Sequence, residues 1–501
     1  LDRAYCQLSV CAPSRNSFMT GRRPDSLRVY NFVDHFRSTT PDAVPVPEFF
    51  RNHDYVTLGA GKTYQPGKPP DYDQARSWSP EVPYLALQKN LTRCSARSQP
   101  SNKFLDVCPE EGSLKNFMDQ RTADYSVEAM KLARRKRRPF FVAAGFYRPH
   151  LRWHVPKKFY DLYEHRRLAV PARSRAKPAG MPDVAWANEG CHTMTTKAHG
   201  TKNVHMDYPL SSDMQAELKR GYLACVSWID HLSGYVLREA DALAPSGDSR
   251  DDTVVVLSSD HGFHLGEQAS WTKHTLFEIG SRVPLLFRAP GLLPRRSRAM
   301  VELTDIYRTL ADLAGLPAPA AGVQGASLVP LLKGEHAPRN FSVTQYPRCP
   351  RDFSRMWDAN CKRLTAGEIP VMGYALRARA WRFVEWYRWV PDAPIDRPGP
   401  PARRAALDRV VATELYALDD EGPEDFDALE LVNVAARPEA ACALEALRAA
   451  LHRFLACQDP ACDRSVSLLA DGAACVDDVE ALRRRPAVLE GEASGDVRRR
   501  P

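Results

Sequence analysis

The chain has 501 residues, 44% of them apolar, and a formal net charge of +8. That length supports one large core with a smaller second domain, and the apolar content is that of an ordinary globular protein. No run of about twenty apolar residues occurs, so no membrane-spanning helix is expected, while the mild positive charge is compatible with an anionic ligand.

In chain order, Leu1–Tyr5 lead straight into Cys11-Ala12-Pro13-Ser14-Arg15, followed by Met19-Thr20-Gly21-Arg22. Pro13 suits only the first turn of a helix, where its missing N–H is not needed. Gly21 is a natural stop. Cys11 is therefore expected at a helix N-terminus, where free N–H groups and the helix dipole attract an anion, with Arg15 one turn further in. The plain alternative is a buried free cysteine before a capped helix.

Gly59-Ala60-Gly61-Lys62 follows, and Cys94 and Cys108 are spaced like a small disulfide loop, as are Cys349 and Cys361. Arg134–Arg138 closes a helical pattern just before Pro139; a basic helix C-terminus is expected there, and no nucleic-acid partner. Phe140–Ala144 reads as a buried strand and leads on to Pro149-His150. Residues 171–212 carry no legible motif, and Cys191, His192, His199 and His205 read as exposed loop residues. Met214, Leu218, Tyr222, Val226, Ile229 and Val236 mark one face of a long helix.

Thr253–Leu257 reads as a second buried strand, running into Ser259-Asp260-His261-Gly262. Ligands of open parallel sheets sit beyond the carboxyl ends of the strands, so Asp260 and His261 project where chemistry is expected. A carboxylate there suits a hard cation. Val283–Phe287 is a further strand and Asp305–Leu316 a short helix. The alternation predicts an α/β fold over residues 1–362, a mostly parallel central sheet flanked by helices.

From residue 363 to 482 the texture changes to that of a C-terminal α+β subdomain with an antiparallel sheet. Tyr374–Trp389 reads as an antiparallel strand or hairpin, Pro391–Pro401 as a loop, Glu414–Leu418 as a strand and Cys442–Leu455 as a helix. Residues 483–501 read as a disordered tail. The quartet Cys442, Cys457, Cys462 and Cys475 offers two more disulfides; zinc is the competing reading, but no Cys-x-x-Cys pair occurs. Asn90 and Asn340 head glycosylation sequons. The cysteines and sequons together favour an oxidising compartment, lysosomal or extracellular, or periplasmic in a bacterium.

The Cys11–Arg15 and Met19–Arg22 segments together resemble the modification signature of the type I sulfatases. The resemblance extends through Gly59–Lys62, Phe140–His150, Ser259–Gly262, Leu265-Gly266-Glu267, Trp271-Thr272-Lys273, Val283-Pro284-Leu285, Met372-Gly373-Tyr374 and Glu414-Leu415-Tyr416. It is strongest to the iduronate 2-sulfatase branch, and the cysteine loops near Cys94 and Cys349 resemble disulfide positions of that branch. The likeness covers most of residues 1 to about 430 and implies an alkaline phosphatase/sulfatase-like fold.

By position, the resemblance implies that a formylglycine-generating enzyme oxidises Cys11 to formylglycine, whose hydrate is the nucleophile. Arg15 would hold that hydrate, and Asp260, His261 and modified Cys11 would share one calcium ion. Lys62 and Lys273 would bind sulfate oxygens and His150 would assist the leaving alcohol. The implied substrate is a sulfated carbohydrate, with the 2-sulfate of iduronate in glycosaminoglycans as the first candidate. A phosphomonoester or phosphonate hydrolase of the same superfamily, and an inactive glycan-binding homologue, are the alternatives.

Two departures qualify the resemblance. The Asp-Asp pair that family members carry on a first strand ahead of the signature has no counterpart, so the sequence is expected to lack its N-terminal part. Gln65 stands where the branch usually has histidine, and an amide cannot transfer a proton.

Overall fold

The computed structural model describes residues 1–87, 107–163, 168, 176–186, 212–319, 322–349, 360–391, 403–418, 429–457, 460–471 and 482. Cys94, Asn90, Cys191, His192, His199, His205, Cys475 and the 483–501 segment lie outside them.

Val56–Gly61 forms a parallel ladder with Phe140–Gly145, in register from Val56 opposite Phe140 to Gly61 opposite Gly145. Leu85–Ala86 pairs in parallel on its other side. The Met118–Arg135 helix crosses between these strands and packs Ala129 and Ala133 onto Val56 and Leu58. Arg3–Tyr5 runs parallel to Met300–Glu302 and antiparallel to Arg282–Val283. Val255–Ser258 pairs antiparallel with Leu285–Arg288. The expected strand at 283–287 is broken at Pro284, which has no N–H to give a ladder. Parallel pairing is thus present as anticipated, but in several short ladders rather than one continuous sheet.

The strands at 140 and 255 are less buried than their composition suggests. Phe140–Gly145 is half-buried throughout, and Leu257 and Leu286 are exposed. Each of these strands has one hydrogen-bonded neighbour among the described residues. An apolar run shows that a strand can be covered, not that both faces are.

The long helix is Ser212–Leu243. Its buried face runs through Leu218, Gly221, Cys225, Trp228 and Leu232, while Val226 is exposed. The expected stripe was therefore slightly rotated, because large residues such as Trp228 outrank a nearby valine for the core. The basic run ends its helix as expected, with Arg134 paired to Asp252 and Lys136 and Arg138 facing Glu81. No helix among the described residues is long and apolar enough to cross a membrane.

A four-stranded antiparallel sheet forms the C-terminal part: Phe341–Arg348, Val371–Ala378, Trp381–Pro391 and Arg403–Ala417, in that order. It starts at Phe341, ahead of the boundary drawn at 363, because Phe341–Arg348 pairs along its whole length with Val371–Ala378. The Ala441–Cys457 helix covers it through Ala443, Leu447, Ala450, Leu451 and Phe454. Leu8, Val10, Tyr30, Leu276 and Phe277 join the same cluster, so both parts of the chain share one core.

Cys349–Cys361 is a disulfide, with Cα atoms 5.4 Å apart, and Cys457–Cys462 is another. Cys108 and Cys442 are also disulfide-bonded. Asn340 is tied down: its side-chain amide donates to the Ser467 carbonyl and to Asp471.

Candidate active site

Cys11 opens the helix Cys11–Thr20, and Val10 ahead of it is extended. Gly21 ends the helix at φ 64, donating its N–H to the Ser17 carbonyl. A Cβ on Gly21 would lie 2.8 Å from Val323 Cγ1 and 3.1 Å from Tyr307 Cδ1, so this stop is required both by conformation and by space.

The carboxyl ends of Val56–Gly61 and Phe140–Gly145 set the opposite wall. Lys62 N–H donates to the Gly145 carbonyl over 2.6 Å. A Cβ on Gly145 would sit 2.3 Å from the Lys62 carbonyl carbon. This close approach delivers Lys62 Nζ to 3.3 Å from Cys11 Sγ. Lys273 Nζ approaches from the other side at 3.1 Å, and His261 Nε2 lies 3.2 Å away. His150 belongs to the same cluster, close enough to Cys11, Lys62 and Lys273 to be influenced by all three. Cys11, Lys62, Asp260, His261 and Lys273 are all buried.

Burial opposes ionisation of Cys11, but the Lys273 and Lys62 ammoniums outweigh it and hold the thiol well below its usual range. Burial likewise lowers Lys62, despite the opposing pull of Cys11 and Asp260. Asp260 is desolvated too, yet Arg15, His261 and the lysines keep it well below the ordinary carboxylate range. His150 is pushed down to about 4 by burial, with Lys62 adding to the effect. It is therefore neutral at pH 7. Its Nδ1 meets the Leu151 carbonyl at 2.7 Å and that of His261 meets the Gly262 carbonyl at 2.8 Å. A carbonyl can only accept, so both Nδ1 atoms carry a proton, and in the neutral His150 ring Nε2 is left as an acceptor.

Arg15 departs from its expected place. Its Nε donates to Asp260 Oδ2 at 2.8 Å, and Nη1 donates to the Lys62 and Thr63 carbonyls. It braces Asp260 against the Lys62 turn rather than touching Cys11 directly. Ser14 Oγ adds a bond to the Asp260 carbonyl.

Four contributors were not foreseen from the sequence. Tyr147 places its ring 5.6 Å from Lys62 Nζ; it lies inside the Phe140–His150 motif, which was the available signal. Thr272 and His274, which flank Lys273, have φ of 71 and 82, a costly conformation for residues other than glycine. It is maintained by bonds from His274 N to the Ser9 carbonyl and from Arg348 Nη1 to the His274 carbonyl. Arg348 is fully buried and also donates to the Val184 and Ala185 carbonyls. Nothing in its sequence neighbourhood announces that role.

Cys11, Asp260 and His261 offer ligand atoms within 4.8 Å of one another. Calcium takes six to eight oxygen ligands. The described residues offer one carboxylate, whose Oδ2 is held by Arg15 and faces Lys62 at 3.9 Å. That set does not make a complete calcium site. It is instead a cation-rich pocket around a nucleophile-sized atom, suited to an oxyanion.

A buried nucleophile at a helix N-terminus, with two ammoniums and two imidazoles gathered around it beyond strand ends, defines an esterase of anionic esters. The Sulfatase family profile matches residues 1–316, and the chain belongs to that family. It is 30% identical to iduronate 2-sulfatase of Homo sapiens over 485 residues, covering 85% of this chain and 84% of that protein. Two solved structures share the fold. A 2-O GAG sulfatase aligns with a TM-score of 0.61 and 18% identity, over 92% of this chain and 88% of its own. The phosphonate monoester hydrolase of Agrobacterium radiobacter aligns with a TM-score of 0.63 and 18% identity, over 91% and 88%.

Proposed function

We propose that the protein hydrolyses sulfate esters of a sulfated carbohydrate, with Cys11 maturing to formylglycine. The observation that carries this reading is the placement of Lys62 Nζ, Lys273 Nζ and His261 Nε2 between 3.1 and 3.3 Å from Cys11 Sγ. When formed, the aldehyde hydrate supplies one hydroxyl to attack sulfur and a second to expel the bound sulfate. The two lysines bind the anion and stabilise charge as the ester bond breaks. His150, neutral and with Nε2 as an acceptor, is fitted to take the proton of the attacking hydroxyl, while His261 Nε2 lies beside Cys11. The neutral state of His150 makes it a base before it can serve as the acid for the departing alcohol. Arg15 fixes Asp260 and the Lys62 turn.

Similarity to iduronate 2-sulfatase supports a sulfated glycosaminoglycan as the substrate and the 2-sulfate of iduronate as the first one to try. A calcium ion at Asp260 would need further oxygen ligands from outside the described residues, and no step is routed through it. The disulfides at Cys349–Cys361 and Cys457–Cys462 support maturation in an oxidising compartment, where the modifying enzyme would also act.

The test has two stages. Mass spectrometry of the Cys11 peptide, from a host with the formylglycine-generating enzyme, is expected to show the aldehyde. Sulfate release from sulfated sugars is then compared with turnover of phosphate and phosphonate esters. Unmodified Cys11 beside a converted control sulfatase would sink the reading, and faster phosphonate turnover would favour the phosphonate hydrolase alternative.

A further inference from the structure

A pocket of about 230 Å³ lies apart from Cys11, lined by Phe32, Val33, Lys68 and Arg363. Its walls come from three distant parts of the sequence and are tied together. Asn31 Nδ2 donates to the Leu364 carbonyl at 2.7 Å, and the Asp34 carboxylate accepts from Asn31 Nδ2 and from Ala366 N. The Cys349–Cys361 disulfide anchors the chain just before Arg363. Lys68 sits in a turn closed by its own N–H to the Gln65 carbonyl and by Gly67 N–H to Asp71.

Lys68 and Arg363 are both exposed, and among the described residues neither side chain has a hydrogen-bond or ion-pair partner. Asp34, the acid beside Val33, is already committed to the two loops it joins. Two uncompensated cations thus share one concavity with an aromatic ring and a valine. An apolar wall with a few placed polar groups is the usual make-up of a small-molecule site. Guanidinium in particular matches the geometry of sulfate and carboxylate. Lys68 is on the loop that leaves Lys62. Six residues span at most about 21 Å, so the pocket is within reach of a short oligosaccharide whose ester lies at Cys11.

We propose that this pocket is a second anion subsite. It takes a sulfate or carboxylate of a neighbouring sugar, with Phe32 beneath the sugar ring, and makes the enzyme prefer polyanionic oligosaccharides to single sulfated sugars. The inference deepens the sulfated-carbohydrate reading and rests on it.

The test uses the full chain, a size-defined heparin hexasaccharide, the same hexasaccharide stripped of sulfate, and 4-nitrophenyl sulfate. Calorimetry measures hexasaccharide binding independently of turnover. The double variant Lys68→Ala/Arg363→Ala is expected to raise the hexasaccharide Kd about tenfold and to flatten its salt dependence. KM for 4-nitrophenyl sulfate should not move. Phe32→Ala should weaken hexasaccharide binding without changing its salt dependence. If the stripped hexasaccharide still loses affinity in the double variant, carboxylate is the group bound; if only the sulfated one does, it is sulfate. Unchanged affinity in the double variant overturns the proposal. Loss of binding in a protein that releases no sulfate from any ester keeps the subsite and sinks the hydrolase reading instead.

Discussion

Cys11 is set between two ammoniums, and its acidity is a property of that setting. In unconverted protein its thiolate should form well below the ordinary thiol range, since Lys273 and Lys62 oppose the burial cost. Absorbance titration at 240 nm reads this directly. Lys273→Met is expected to move the apparent pKa upward, because burial then faces one ammonium fewer; an unmoved curve would refute the electrostatic account. For catalysis, His150→Ala should lower kcat by about 10²–10⁴-fold, the usual worth of a positioned acid or base. A profile of kcat/KM against pH should lose its acidic limb in that variant. The local signature made Cys11, Lys62, Asp260 and Lys273 legible because each sits in a short motif. Arg15 was legible as a site residue but not in its role, since nothing local shows that Asp260 is its partner.

At the level of elements, the active site depends on how closely two parallel strands end. Gly145→Ala places a methyl against the Lys62 backbone at 2.3 Å. The expected cost is about 3 kcal/mol by overpacking, with sulfatase activity lost beyond what the stability loss explains. Thermal unfolding and activity measured on the same sample separate the two. Helix stops and strand positions were readable from Gly21, Pro284 and the apolar runs. Burial of those strands was not, because alternation and composition report what a strand can cover, while Leu257 and Leu286 are exposed for want of a covering layer among the described residues. The helix stripe at 214–236 failed in a related way: periodicity fixes the face only to within a residue or so, and Trp228 decided the rest.

Across the whole molecule, the two parts of the chain meet through buried charge. Glu278 accepts from Tyr5 at 2.7 Å and from Arg377 at 3.1 Å, and also pairs with Arg382, while Glu430 Oε2 accepts from Glu278 N at 2.8 Å. Burial raises Glu430 to about 7 in spite of Arg382, whereas the arginines outweigh burial and lower Glu278 to about 2. A carboxyl raised in the folded state binds more protons there than in the unfolded chain, so its contribution is full below the ordinary glutamate value of 4.5 and is lost as pH rises through about 7. Glu278 works the other way, contributing above 4.5 and losing its effect as pH falls through about 2. Glu430→Gln should therefore flatten the stability profile between pH 4.5 and 7, measured by urea unfolding at several pH values. An unchanged slope would contradict this. Sequence reading missed the network altogether, since arginines in an aromatic-rich strand look like its solvent face. Here Arg377 and Arg382 stand opposite each other across two strands and both turn inward.

Arg348 gives the shared core a meaning for inheritance. The peptide that carries Lys273 bends unfavourably on both sides of that lysine, and one of its restraints comes from a strand of the C-terminal sheet. Loss-of-function substitutions should therefore not crowd around Cys11. Changes that loosen the antiparallel sheet, distant from any reacting atom, would surface in a genetic screen as catalytic lesions in protein that is still made and folded.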